Sequence, residues 1–216
     1  MKDVLIAVAA SCGVAAAAAA AAAATAATAA TAAGTAPVES PIEAPGPSGP
    51  LKGTLLTASG GHGPVILIIP GSGPTDRDGN NPAGVLAAPY RLLAEGLAAQ
   101  GVTSVRIDKR GMFGSAAATA DANAVTIPDY VTDVQTWSRV IRERTKRSCV
   151  WLLGHSEGGL IAMAAARNPD VCGLLLRFVF VGQFVGGLGS FFTYVALQVC
   201  AAVIDREALR GLPASN

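Results

Sequence analysis

Val65-Ile66-Leu67-Ile68-Ile69 is the segment that most narrows the folds open to this chain. An apolar, β-branched run without polar alternation fits a strand buried on both faces. Such a strand needs helices above and below its sheet, and the rest of the chain supplies them in alternation. Leu51 to Ala58 alternates loosely and predicts a strand, closed by the turn Gly60-Gly61-His62-Gly63-Pro64. Pro89 to Gln100 predicts an amphipathic helix with Gly101 as its C-terminal cap, and Val102 to Ile107 the next strand. Asp129 to Lys146 predicts a helix with Tyr130, Val134, Trp137 and Ile141 on its buried stripe. Asp129 at its start and Arg142, Arg144 and Lys146 at its end match the helix dipole. Val150 to Leu153 predicts a short strand, Gly158 to Arg167 a small-residue helix stopped by Asn168-Pro169, and Val171 to Leu176 a further buried strand. Strands alternating with helices imply an α/β fold with a mostly parallel sheet covered on both faces. Ligands of such sheets bind at the carboxyl ends of the strands. The loops after Ile69, Ile107 and Leu153 all lie at that end and are expected to converge on one cleft.

The length, 216 residues, suggests one domain. A formal charge of +1 with no basic patch points away from nucleic acid and from acidic partners. His62 and His155 are the two histidines, far apart, and the four cysteines fit neither a zinc site nor a disulfide framework. No metal or cofactor is therefore expected. Lys2 and the apolar run Val4 to Ala10, followed by small residues, predict an export signal and a periplasmic or secreted protein. Two other readings stand beside it: a lipoprotein acylated at Cys12 after Ala10-Ser11, and a low-complexity leader with no targeting role. Residues 1–33 form this signal-like, Ala/Thr-rich leader. Residues 34–50 carry Pro37, Pro41, Pro45, Pro47 and Pro50 and predict an extended, semi-rigid linker. The chain is expected to be disordered, or a frayed helix, up to about residue 50.

Gly154-His155-Ser156-Glu157-Gly158 fits G-x-S-x-G, in which a serine sits on a sharp strand-to-helix turn. The glycines keep Cβ atoms out of the crowded turn, where the backbone takes angles that cost most residues energy. A glycine-rich βα turn with an incidental serine is the bland alternative. The predicted strand before and helix after the motif supply the context that the functional reading requires.

Over about residues 51–176 the chain resembles an α/β hydrolase. Three motifs in order carry the resemblance: the apolar strand with Pro70-Gly71-Ser72-Gly73-Pro74, the turn Asp108-Lys109-Arg110-Gly111-Met112-Phe113-Gly114-Ser115, and the Gly154–Gly158 elbow. The first is similar to the family's oxyanion-loop segment. The second is similar to its D-x-R-G-x-G-x-S turn, with one extra residue before the second glycine. The branch it looks most like is that of bacterial serine esterases and serine aminopeptidase-like enzymes. The resemblance implies Ser156 as nucleophile, backbone N–H groups of Glu157 and of Ser72 or Gly73 as an oxyanion hole, and a small-molecule carboxylic ester as substrate. Asp76, Arg77 and Asp78, and likewise Asp108 and Arg110, are read first as a loop-fixing cluster and second as substrate contacts.

The resemblance breaks after Leu176. In this fold the order is Ser, then acid, then His, and no histidine follows Ser156. His155 is its immediate neighbour and points elsewhere on the turn, which leaves His62 as the first residue to test as a base. Asp170 precedes a strand, at the wrong end of the sheet, and Asp205 is a candidate acid without support. Neither the triad histidine nor the acid is identified. Phe178 to Ile204 holds no charged residue and five of the six phenylalanines. Residues 177–216 are read as an atypical apolar tail, and the sheet is expected to end early, incomplete at its C-terminal edge. Three accounts of the tail compete: an abnormal end such as a frameshifted or truncated translation, a transmembrane helix over Phe178 to Ile204 flanked by Arg177 and Asp205-Arg206, and a folded extension of the sheet in a non-catalytic binding protein.

Cys149 and Cys172 precede and open two strands expected to be parallel neighbours. Their thiols then lie at one end of the sheet, within reach of a disulfide. The preferred expectation is nonetheless a reduced, buried pair acting as small hydrophobes.

Overall fold

The structure is a computed structural model that describes residues 36–84, 86–180 and 198–205, with residues 177–180 and 198–205 described by backbone alone. Seven strands form one sheet: β1 (Val38–Ala44), β2 (Leu51–Thr57), β3 (Val65–Ile69), β4 (Thr103–Ile107), β5 (Val150–His155), β6 (Val171–Phe180) and β7 (Gln198–Asp205). Their order across the sheet is β1-β2-β4-β3-β5-β6-β7. The central strands β4, β3, β5 and β6 are parallel, while β1, β2 and β7 join antiparallel. Every residue of β3 is buried, as its unbroken apolar run requires.

Among the described residues, three α-helices cover the two faces. Helix α1 (Pro89–Ala99) packs Tyr90, Ala94 and Ala98 on one face, against Leu56, Ile66 and Ile68. Helices α2 (Ile127–Thr145) and α3 (Glu157–Ala165) pack on the other, where Trp137, Ile141 and Ile161 meet Leu67, Val105 and Leu152. The expected stripe on α2 is buried throughout. Its start lies slightly earlier than Asp129: Thr126 is the N-cap and Asp129 the N3 residue of a capping box, with Asp129 accepting from the Thr126 N–H at 2.9 Å. The Asp129 carboxyl is held below its ordinary range first by the hydrogen bond from the Thr126 hydroxyl, then by that backbone bond.

Three expectations are corrected. Residues 38–44 are not a linker but a sheet strand, with Ile42 6% and Ala44 2% exposed in the core. β1 lies at the sheet edge, where a proline such as Pro41 is tolerated because one side of the strand needs no ladder donor. The remaining prolines and glycines of 45–50 make the connection to β2. The sheet also does not stop at Leu176. β6 continues to Phe180 and β7 pairs with it from Gly173↔Asp205 to Phe180↔Gln198. Phe178–Phe180 and Gln198–Ile204 are therefore strand, not parts of a membrane-spanning helix. Among the described residues no helix is long and apolar enough to cross a membrane. Finally, Cys149 and Cys172 form a disulfide, with Cα atoms 5.1 Å apart. The strand reading places them correctly: β5 and β6 are parallel neighbours, and the register slips after Val150↔Val171 to Trp151↔Gly173. Cys172 is the extra residue at that irregularity, which turns it toward Cys149. The leader with its Cys12, and residues 181–197 and 206–216, lie outside the described residues.

Candidate active site

Ser156 joins β5 to α3 with φ 53° and ψ −117°, a conformation unfavourable for any residue with a Cβ. Neighbouring contacts hold it there. A Cβ at Gly154 would lie 2.3 Å from the Gly158 carbonyl oxygen, and one at Gly158 would lie 2.3 Å from that of Ile69 and 2.6 Å from that of Pro70. Only glycine at both positions lets the turn close against the end of β3. That geometry is the sharp, strained turn that the G-x-S-x-G pattern predicts, and it leaves Ser156 half-buried.

The three polar loops do come together. A Cβ at Gly71 would lie 3.2 Å from His155 Nδ1 and 3.4 Å from Ser156 Cβ, so the loop after β3 runs against the serine turn. Arg77 of that loop donates to Asp108, which follows β4, through its guanidinium and through its backbone N–H at 2.8 Å. Asp108 also accepts from the Gly114 N–H at 3.0 Å. Asp76 accepts from the N–H groups of Asp78 and Asn80, and Arg110 is clamped by Asp133 and Asp129. Hydrogen bonding to Asp133 holds the Arg110 guanidinium above its ordinary value. These are the loop-fixing roles expected for Asp76, Arg77, Asp108 and Arg110. Asp78 instead receives Arg106 from β4, which also pairs with Glu39 of β1.

Glu157 is the first residue of α3, so its N–H has no acceptor within the helix. Ser72 and Gly73 are exposed on the loop beside it, with Gly73 at φ 74°. The Gly71 N–H is engaged by the Tyr90 hydroxyl at 3.4 Å, and that hydroxyl shares a 2.8 Å hydrogen bond with His155 Nδ1. Tyr90 and His155 thus tie the loop after β3 to the serine turn, a link with no short-range signal in the sequence. Lys109 likewise carries no mark in the sequence that sets it apart from the rest of its polar turn. It is buried and its Nζ lies 2.7 Å from Glu157 Oε1, joining the third loop to the start of α3.

Among the described residues, neither His62, Asp170 nor Asp205 is brought to Ser156. His62 precedes β3 whereas Ser156 follows β5, and these strands are parallel, so the two residues lie at opposite ends of the sheet. A strand of this length spans about 17 Å. His62 is thereby removed as the base. Asp170 accepts from Arg142 near the start of β6, and Asp205 stands across from Gly173 at the same end. Both are remote from the carboxyl end of β5.

Comparison with known proteins agrees with this geometry. The family described as serine aminopeptidase S33 matches residues 86–185. An esterase of Thermotoga maritima, EstD, is 26% identical over 128 residues, which cover 59% of this chain and 29% of that protein. Among solved structures, a dienelactone hydrolase from Anabaena variabilis superposes with a TM-score of 0.53 at 21% identity, covering 66% of this chain and 63% of its own. A thermostable carboxyl esterase from Bacillus coagulans gives 0.51 at 16% identity, covering 64% and 43%. The chain has the fold of the α/β hydrolases, and its residues 86–185 are similar to the serine aminopeptidase S33 family. It spans under a third of the esterase it matches and just under two thirds of the dienelactone hydrolase.

Proposed function

We propose that this chain is a serine hydrolase for small carboxylic esters, built to form an acyl-enzyme on Ser156 but nearly inactive as it stands, because no histidine base or acid reaches Ser156 among the described residues. The observation that carries the reading is the strained Ser156 conformation, kept by two glycines that no other residue could replace. Attack by Ser156 Oγ on the ester carbonyl would place negative charge on the carbonyl oxygen. The N–H groups of Glu157 and of Ser72 or Gly73 would receive it, and hydrolysis of the acyl group would follow. EstD being an esterase supports the choice of ester among acyl substrates.

A second reading is a hydrolase-fold protein that binds without turnover. The placement of His62 and the commitment of His155 Nδ1 to Tyr90 favour it. Loss of a triad member removes several orders of magnitude in rate. Turnover of a small activated ester by this chain is therefore expected to sit barely above background, with a fluorophosphonate-type probe labelling Ser156 slowly and Ser156→Ala not at all. Equal labelling of the parent and Ser156→Ala would remove Ser156 as nucleophile. Robust turnover lost in Ser156→Ala would reject the binding reading and require a base from outside the described residues. Export to an oxidising compartment is part of the proposal, supported by the apolar run at the N-terminus and by the Cys149–Cys172 disulfide. Membrane fractionation of the full chain against its secreted or periplasmic pool tests it.

A further inference from the structure

We infer that Lys109 is a positioning residue for the Ser156 turn, holding and neutralising the Glu157 carboxylate so that no bare negative charge stands beside the reacting serine. The inference rests on Ser156 as nucleophile and deepens that reading.

Lys109 follows β4 and is 4% exposed, an unusual place for an ammonium group. Its Nζ lies 2.7 Å from Glu157 Oε1 and 5.1 Å from the centre of the Tyr130 ring on α2. It lines the small cavity between α2 and the sheet together with Ile69, Ile107, Tyr130, Trp137 and Ile161 of α3. One cation therefore joins the β4 turn, α2 and the first residue of α3. Glu157 is adjacent to Ser156, and its N–H is the proposed oxyanion donor. Adjacent Cα atoms stand about 3.8 Å apart. A bare carboxylate there lies well inside the ~10 Å over which charges act at ordinary salt. It would oppose both an anionic nucleophile and an oxyanion. The charge of Glu157 does reach its surroundings: the Tyr130 hydroxyl is pushed above its ordinary value by burial first and by Glu157 next, with Asp133 and Asp129 adding to the rise and Arg110 opposing it. Paired with Lys109, the carboxylate keeps its helix N-terminal position, where an acid is favourable, without presenting its full charge to Ser156.

The test reads charge at position 156 without requiring turnover. In a Ser156→Cys background, the rate of iodoacetamide alkylation at that position is followed against pH by site-resolved mass spectrometry. Four chains are compared: Lys109 and Glu157 intact, Lys109→Met, Glu157→Gln, and the two combined. Lys109→Met is expected to raise the apparent thiol pKa by about one unit, Glu157→Gln to lower it, and the combined change to return it close to the parent. Thermal unfolding of each chain is the control, because a merely structural brace would be weakened in all three variants with no return in the combined one. No shift in Lys109→Met, or a combined variant that stays raised, overturns the inference. Should Lys109→Met not fold, Glu157→Gln decides: a lowered pKa supports the inference and an unchanged one overturns it. Failure of Ser156 as nucleophile shows separately, as equal probe labelling of the parent and Ser156→Ala.

Discussion

At the scale of single residues, the Ser156 turn sets function against stability. A side chain at φ 53° and ψ −117° costs on the order of 1–3 kcal/mol, and glycine there costs little. Ser156→Gly is therefore expected to stabilise the fold by about 1 kcal/mol while abolishing probe labelling, as denaturant unfolding and labelling measured together would show. Gly158 gives the opposite result. An alanine Cβ would meet two backbone oxygens of Ile69 and Pro70, which cannot turn aside as a side chain would. Gly158→Ala should cost about 3 kcal/mol or prevent folding, and a loss below about 1 kcal/mol would mean that the turn is not as closed as described. These glycines and the serine were legible in the sequence because the motif's spacing encodes its own sterics. Lys109 was not legible. Nothing in Asp108-Lys109-Arg110 distinguishes the lysine that is buried against Glu157, because the partner comes from a turn 48 residues on.

At the scale of elements, local signals predicted whatever local chemistry controls. Strand β3, the buried stripe of α2 and the Gly101 cap after α1, at φ 76°, stand where periodicity and punctuation put them. Strand β1 did not show, because its proline content reads as a linker and only Ile42 and Ala44, two residues apart, carry its buried face. Its place depends on an edge of β2 that the sequence of residues 38–44 does not contain. The start of α2 shows how small such shifts are: a Thr126 cap and an Asp129 at N3 move the boundary by two residues. That capping box gives a pH prediction with a definite sign. Asp129 has its folded pKa lowered, so its contribution is present above the ordinary carboxylate range and is lost as pH falls through the lowered value. Asp129→Asn should lower the unfolding midpoint by about 2 °C at pH 7, and the deficit should shrink as pH falls below the ordinary carboxylate range and through the lowered folded value. A deficit that persists unchanged at acid pH would show that the charge is not what the cap contributes.

At the scale of the whole molecule, both cross-links that the sequence left unsettled lie on β6. The Cys149–Cys172 disulfide ties its start to β5 across a sequence separation of 23. Closing a loop of that size restricts the unfolded chain, which corresponds to about 3 kcal/mol. Replacing both cysteines by alanine should lower unfolding stability by roughly that amount, and a reductant should have the same effect on the parent but none on the variant. β7 is the other cross-link. It covers the free edge of β6 over the full run from Gly173 to Phe180, although its sequence, free of charge until Asp205, was read as a tail beyond the sheet. Charge-free apolar sequence without punctuation is compatible with a strand, a membrane helix or neither, so only pairing decides. An unpaired edge of this length invites association with a second chain. Cutting the chain after Leu176 removes β7 and the last part of β6, including Arg177, which pairs with His155, while the Ser156 turn and its three loops stay in the chain. The shortened chain should therefore lose its cooperative transition and show concentration-dependent association in light scattering. A sharp unfolding transition in a shortened chain that stays monomeric would mean that β7 adds nothing to the sheet.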